Sequence, residues 1–179
     1  MSKNILVIST SPRKGGNSET LADAFIRGAK EAGHQAEKAC LHDKTIGFCK
    51  GCLACLKSHR CVIRDDADVI AQKMRKADVL VFATPIYYYE MCGQMKTMLD
   101  RANPLYGSDY QFRDVYLLAS AAETEDSAMD GVVKGLSGWI ECFPKSKLAG
   151  TVFGGGADTV GSIQGNPALE QAYQLGKSL

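Results

Sequence analysis

At 179 residues, 45% of them hydrophobic and 23% charged, the chain has the size and composition of one soluble domain with a full core. A formal net charge of +1 gives no electrostatic case for a nucleic acid or a membrane surface as partner, and no apolar run approaches the length of a membrane span. The N-terminus lacks the features of an export signal, and seven cysteines, four of them between Cys49 and Cys61, favour thiol or metal chemistry in a cytoplasmic protein over a disulfide framework.

The first predicted strand is Asn4-Ile5-Leu6-Val7-Ile8, and Ser9-Thr10-Ser11-Pro12-Arg13-Lys14-Gly15-Gly16-Asn17-Ser18 follows it directly. A helical stripe then begins on Leu21, Ala24, Phe25, Gly28, Ala29 and Ala32. A helix start offers unpaired N–H groups and a positive dipole end, so an anion placed there is stabilised. Glycines let the backbone approach it, and Ser, Thr and Asn side chains add donors.

The loop has neither G-x-x-x-x-G-K-[ST] nor G-x-G-x-x-G, which excludes a triphosphate P-loop and an ordinary dinucleotide fingerprint. No cysteine is followed six residues later by arginine, and no carboxylate ends the first strand, so a cysteine phosphatase and a phospho-acceptor domain are excluded too. What remains suits a terminal phosphate that is held and not transferred, such as that of FMN. The alternative is a plain polar loop with an Asn or Ser cap.

Gly33 ends the helix, and Gln35 to Leu41 reads as a weak strand. A Cys-rich insertion follows at about residues 47–65, and Asp65-Asp66 then starts a helix with Val69, Ile70, Met74 and Ala77 on its inner face. Val79 to Ala83 is apolar on both faces, as a central parallel strand should be. Gln94 to Asn103 reads as helix with Met95, Met98, Leu99 and Ala102 inward, and Val115 to Ala119 as a buried strand. Met129, Val132, Val133, Leu136, Trp139, Ile140 and Phe143 form a core stripe on a long helix. Leu148 to Phe153 is the fifth strand, and Asn166-Pro167 opens the last helix. The pattern predicts a single α/β domain, residues 1–179, as a three-layer sandwich around a five-stranded parallel sheet of order 2-1-3-4-5. The ligand crevice then lies outside the carboxyl ends of strands one and three.

The loop after strand three should carry ligand chemistry as well, and Thr84-Pro85-Ile86-Tyr87-Tyr88-Tyr89-Glu90 offers an aromatic wall of the kind an isoalloxazine ring needs. The tyrosines can equally cover the core or a subunit interface. Ser120-Ala121-Ala122 after strand four is small enough for a ligand to lie against. Lys96 is a candidate to steady negative charge on a reduced ring.

Ser11-Pro12-Arg13 with Gly16-Asn17-Ser18, Thr84-Pro85-Ile86-Tyr87-Tyr88, and Gly93-Gln94-Met95-Lys96 with Leu99-Asp100-Arg101 resemble the NADPH-dependent FMN reductase group of flavodoxin-like proteins. That resemblance implies FMN phosphate at Ser11, Arg13, Asn17 and Ser18, and ring contacts from Pro85, Ile86, Tyr87 and Tyr88. Ser120 joins them as a cofactor-binding candidate from the third loop. The resemblance also implies a homodimer or homotetramer. Ala121 and Ala122 depart from it, standing where relatives often carry glycine.

Cys49-x2-Cys52-x2-Cys55-x5-Cys61 places four thiols within one loop, a compact spacing typical of [4Fe–4S] ligation. Zinc fits less well, since zinc ribbons use two separated pairs. Lys50, Lys57 and Arg60 would offset part of a cluster's negative charge. The pattern is similar to that of the iron–sulfur flavoproteins, which implies all four cysteines as ligands. The alternative is a loop that covers the flavin or touches a neighbouring subunit. Cys40, Cys92, Cys142 and the three histidines suggest no ligand set.

The leading expectation is an FMN oxidoreductase that takes hydride from NAD(P)H and passes electrons to a small-molecule or protein acceptor. The competing classes are an electron carrier of flavodoxin type and a cofactor-free interaction module. Carriers are usually strongly acidic for docking, whereas this chain is near neutral.

Overall fold

The computed structural model describes residues 1–179. Five parallel strands, β1 (Asn4–Ser9), β2 (Gln35–Cys40), β3 (Val79–Tyr87), β5 (Asp114–Ser120) and β6 (Lys147–Gly154), lie in the order β2-β1-β3-β5-β6. This is the expected flavodoxin-like order. The sixth strand, β4 (Glu90–Met91), is an addition the sequence did not signal. It arises because β3 runs past Ala83 to Tyr87 and turns back on itself, pairing Ile86 with Met91 and Tyr87 with Glu90.

The helices are α1 (Asn17–Glu31), the single turn α2 (Cys55–Ser58), α3 (Asp66–Lys76), α4 (Gly93–Arg101), α5 (Asp130–Glu141) and α6 (Ala168–Lys177). Because side chains alternate along a strand, each strand feeds two cores. Leu6, Ile8, Leu80, Phe82, Val115 and Leu117 join α3, α4 and α5 in a cluster of 28 buried residues. Ile5, Val7, Val79, Val81, Tyr116 and Leu118 face the other way and join α1 and α6 in a cluster of 17.

Local chemistry fixes the helix ends. Asp65 accepts the Ala67 N–H at 3.1 Å and caps α3. After α1, His34 N–H reaches the Ala29 carbonyl and Gly33 N–H the Lys30 carbonyl, a Schellman ending. Asn166 Oδ1 accepts the Ala168 N–H at 2.9 Å before α6, which begins one residue beyond the predicted start. The inner face of α3 differs from expectation. Ala67, Ile70, Ala71 and Met74 are buried, while Val69 is 54% exposed. The stripe beginning at Met129 starts in a 3-10 turn, Asp126–Met129, that leads into α5.

The chain leaves β1 for one edge of the sheet and leaves β3 for the other, so their carboxyl ends diverge and open the crevice that this topology places there. On the opposite flank α1 and α6 meet almost backbone to backbone. A Cβ at Gly28 would sit 2.0 Å from the Tyr173 carbonyl oxygen, and one at Gly176 2.1 Å from that of Phe25. Neither oxygen can yield without moving a helix. Gly28→Ala should therefore destabilise the fold by about 1–3 kcal/mol or more, with a Tm lowered by about 5–10 °C in calorimetry. An unchanged Tm would show that the helix pair has room to spread.

Candidate functional site

A cleft of about 110 Å3 opens at the carboxyl ends of the strands. Four segments line it: Ser11, Arg13, Asn17 and Ser18 after β1; Pro85, Ile86 and Tyr87 at the end of β3; Ser120, Ala121 and Ala122 at the end of β5; and Ala157 and Asp158 after β6. Every cofactor-binding candidate from the sequence except Tyr88 is among them. Ala157 and Asp158 carry no motif that could have announced them.

The loop after β1 is tightly folded. Ser11 Oγ donates to the Arg13 carbonyl at 3.0 Å and accepts the Arg13 N–H at 3.1 Å. A Cβ at Gly16 would lie 2.5 Å from that same Oγ, so a larger residue there would push the Ser11 hydroxyl off its bonds to Arg13. The first helical bond of α1 is Thr20 N–H to the Gly16 carbonyl at 3.0 Å, which leaves the N–H groups of Asn17, Ser18 and Glu19 without backbone acceptors. Ser18 Oγ is buried and also has no partner. Three amides and a hydroxyl at one helix start are thus available to an anion in the cleft.

The other two loop candidates are partly engaged elsewhere. Asn17 Nδ2 donates to the carbonyls of Ala157 (3.1 Å) and Thr159 (2.8 Å), and its Oδ1 accepts the Gly161 N–H at 3.1 Å. Its side chain therefore holds the segment after β6 against the loop, and its backbone N–H is what remains for a ligand. Arg13 reaches across the mouth of the cleft and donates to the Asp158 carbonyl at 3.1 Å, which leaves its other guanidinium donors free.

Behind the loop, Glu19 accepts from Gly15 N–H (2.8 Å) and Lys38 Nζ (3.0 Å). Burial opposes its charge, but the Lys38 bond overcomes that and holds its pKa below the usual value. Burial, with the Glu19 carboxylate added, pushes the neighbouring Cys40 thiol up to about 11. Glu19, Cys40 and His42 stand close enough to share a cation, yet the Lys38 ammonium already occupies the carboxylate's free side. Beneath the cleft, the buried Cys92 donates to the Thr10 carbonyl at 3.2 Å and accepts from Thr84 Oγ1 at 3.4 Å, tying the ends of β1 and β3 together.

At the other end of the cleft only Tyr87 of the three tyrosines takes part. Tyr88 is 99% exposed, because the turn between β3 and β4 places Tyr88 (φ 51°) and Tyr89 (φ 62°) both in the left-handed region. This is the backbone of a type I′ hairpin, which ordinarily uses Asn-Gly. Lys96 does not approach the cleft; it pairs with Asp100 on the surface of α4 at 2.7 Å.

A second cavity, about 340 Å3, is lined by all four clustered cysteines together with Lys50, Val62, Ile63, Arg101, Asn103 and Pro104. All four thiols are free. Its loop is pinned to α3 by two carboxylates. Asp65 accepts the Gly47 N–H at 2.8 Å, and Asp68 accepts the Cys61 N–H at 3.3 Å. Burial opposes the Asp68 charge, but Arg60 (2.6 Å) and Arg64 (3.0 Å) overcome that and hold its pKa low. Arg60 pairs with Asp68 and does not line the cavity. Hydrogen bonds to sulfur are present as well: Gly51 N–H to Cys49 Sγ at 3.4 Å and Asn103 Nδ2 to Cys55 Sγ at 3.1 Å.

A family model described as NADPH-dependent FMN reductase matches residues 3–164. An iron-sulfur flavoprotein of Methanosarcina thermophila is 30% identical over 169 residues, 94% of this chain and 85% of that protein. One from Archaeoglobus fulgidus is 39% identical over 94 residues, but this match spans only 52% of the chain and 43% of the relative. Among solved structures, an NAD(P)H:quinone oxidoreductase from Methanothermobacter marburgensis superposes with a TM-score of 0.79 at 19% identity, covering 99% of this chain and 96% of that one. An FMN-dependent NADH-azoreductase from Bacillus anthracis in complex with FMN gives 0.67 at 15% identity, covering 99% and 97%. At such identities these two establish the fold.

The strained turn offers a direct measurement. Replacing Tyr88-Tyr89 by Asn-Gly should relieve the left-handed penalty and stabilise the fold by about 1–2 kcal/mol, raising Tm by a few degrees. If Tm falls instead, the tyrosine side chains contribute more packing than the turn costs.

Proposed function

The chain belongs to the NADPH-dependent FMN reductase family, and on that premise we propose that it holds FMN in the cleft at the strand ends, takes reducing equivalents from NAD(P)H and passes electrons to a small-molecule or protein acceptor. The observation that carries this reading is the set of unpartnered donors at the start of α1, three amides and the buried Ser18 hydroxyl, on the wall of a cleft formed where the sheet topology opens. Those groups fit a phosphate. FMN, when bound there, would supply the redox chemistry of hydride acceptance and electron donation.

The protein's own part is binding and orientation. Ser18 and the α1 amides hold the phosphate, and the Arg13 guanidinium, anchored on the Asp158 carbonyl, closes the cleft's mouth with charge of the matching sign. Pro85, Ile86 and Tyr87 would give the ring an apolar face, and the small Ala121 and Ala122 would leave room for it in the cleft. The cleft, at about 110 Å3, is narrow compared with the 300–1,000 Å3 usual for small-molecule sites, so a bound ring would extend beyond it. A homodimer or homotetramer that covers the exposed portion, with Tyr88 and Tyr89 at the contact, completes this reading.

The four cysteines around one cavity, two of them already accepting N–H···S bonds, fit a [4Fe–4S] cluster. Cys49, Cys52, Cys55 and Cys61 would each ligate one iron. The relatives from Methanosarcina and Archaeoglobus, named as iron-sulfur flavoproteins, support an iron–sulfur group in this chain.

Ser18→Ala should weaken FMN by about 10–100-fold, the loss of one hydrogen bond to a charged group, and leave riboflavin little affected. Asn17→Ala should lower Tm and weaken both ligands together, since it releases the segment after β6. Equal losses of FMN and riboflavin on Ser18→Ala would show that the phosphate sits elsewhere.

Under argon, NADH or NADPH should bleach the bound flavin's absorbance, and air should restore it. If neither nucleotide does so but a reduced partner protein does, the chain is a carrier. Anaerobic reconstitution should give close to four irons per chain, and serine at any of Cys49, Cys52, Cys55 or Cys61 should lose most of them while FMN stays bound. Reconstituted protein with FMN and no stoichiometric iron would reduce the cysteine segment to a covering loop.

A further inference from the structure

Resting on the cluster reading above, we propose that Arg101 and Asn103, at the end of α4, are positioning residues for the cluster that raise its reduction potential. Four thiolates around one iron–sulfur core concentrate negative charge, and one electron taken from reduced flavin adds one more. Potential in such centres follows net charge, burial and hydrogen bonds to sulfur. This chain places two side chains for that purpose.

The side chain of Arg101 has no exposed surface. Its Nη1 donates to Asp65 Oδ2 and the Gly47 carbonyl, both at 2.7 Å, and its Nη2 to Asp65 Oδ1 at 2.7 Å and the Ile63 carbonyl at 3.0 Å. Asp65 thus takes the Nη edge. The Nε–H on the other edge is buried and has no hydrogen-bond partner, and Arg101 lines the same cavity as Cys61 and the other three cysteines. A buried donor without an acceptor costs about 1–3 kcal/mol, so its persistence beside a candidate ligand calls for an explanation. A cluster held in that cavity would supply a sulfur as the acceptor. The ion pair then turns its positive end to the sulfur, with the countercharge held on the far side.

Asn103 acts at a second ligand. Its Nδ2 donates to Cys55 Sγ at 3.1 Å, and Cys55 is the one buried member of the four. The amide dipole stabilises charge on that sulfur without adding charge of its own. Both residues come from one stretch of chain, α4 with the turn that follows it, directly after the β3–β4 hairpin.

The test is a potentiometric titration of reconstituted protein, with iron content and FMN potential measured on the same samples. Asn103→Asp replaces the donor by a carboxylate and should lower the cluster midpoint, changing the reduced-to-oxidised ratio at a fixed potential by tenfold or more, 59 mV for one electron. Asn103→Ala should give a smaller shift in the same direction. Iron content and the FMN midpoint should stay at wild-type values in both. Arg101→Lys keeps the charge but loses the fork and should also lower the cluster midpoint; circular dichroism and FMN content check that it folds, and the Asn103 variants carry the test if it does not. Wild-type protein that takes up no iron would overturn the cluster reading, and this inference with it. Wild-type protein holding close to four irons, with a midpoint unmoved in both Asn103 variants, would overturn this inference alone.

Discussion

Arg101 and Asp65 form the joint on which the cysteine half of the molecule depends. Two parallel hydrogen bonds of 2.7 Å join a guanidinium with no exposed side-chain surface to a carboxylate that also caps α3 and accepts the Gly47 N–H. The Arg101 bonds hold the Asp65 pKa below the usual carboxylate range. Through the Gly47 and Ile63 carbonyls the same guanidinium grips both ends of an otherwise irregular segment. Removing one partner from a buried pair of this kind typically costs about 3–5 kcal/mol, because the other charge is left uncompensated. Without this joint the four cysteines would sit on a loop with little core of its own, since Phe48, Leu53 and Val62 are exposed.

Legibility in the sequence followed the range of the interactions concerned. The strands and the inner faces of α1, α4 and α5 were readable because burial imposes a period of two or 3.6 on consecutive residues. Val69 was misplaced because α3 meets the sheet through its small residues, Ala67 and Ala71, which a search for large apolar side chains passes over. The β3–β4 hairpin escaped notice because its turn uses Tyr-Tyr where glycine or asparagine would have marked it. At the cleft, the Ser and Asn residues were found by type, but the true task of the Asn17 carboxamide is set by carbonyls more than 100 positions away, with separations of 140 and 142 to its two partners. No local pattern carries that information. Arg101 at a helix end reads as an ordinary complement to the dipole, and its partners at 36 and 54 positions' remove are equally silent in the sequence.

The cleft and the cysteine cavity are built on different principles. The cleft is assembled from segments that follow β1, β3, β5 and β6, so its geometry is inherited from the sheet. The cysteine cavity owes little to the sheet. It is a loop closed by ion pairs and carbonyl contacts, with Gly51, Leu53 and His59 in left-handed conformations along its length. Backbone strain of that kind persists only where the surroundings overdetermine it, and here it falls within the segment that carries the thiols.

The close contact between α1 and α6 has a consequence for how the chain is made. The Tyr173 hydroxyl donates to the Glu31 carboxylate at 2.5 Å across 142 positions, and the glycine-to-carbonyl approaches beside it join the same two helices. During synthesis the apolar stripe of α1 can pack on β1, β3 and β5 as they emerge, Phe25 against Tyr116 at 5.6 Å, while the flank of α1 that carries Gly28 waits for residues 168–177. At about 5–20 residues per second the interval is on the order of ten seconds. For that time the flank of α1 that α6 later covers stays open to water and to other chains, a window in which a chaperone would find Gly28 and the Phe25 carbonyl uncovered.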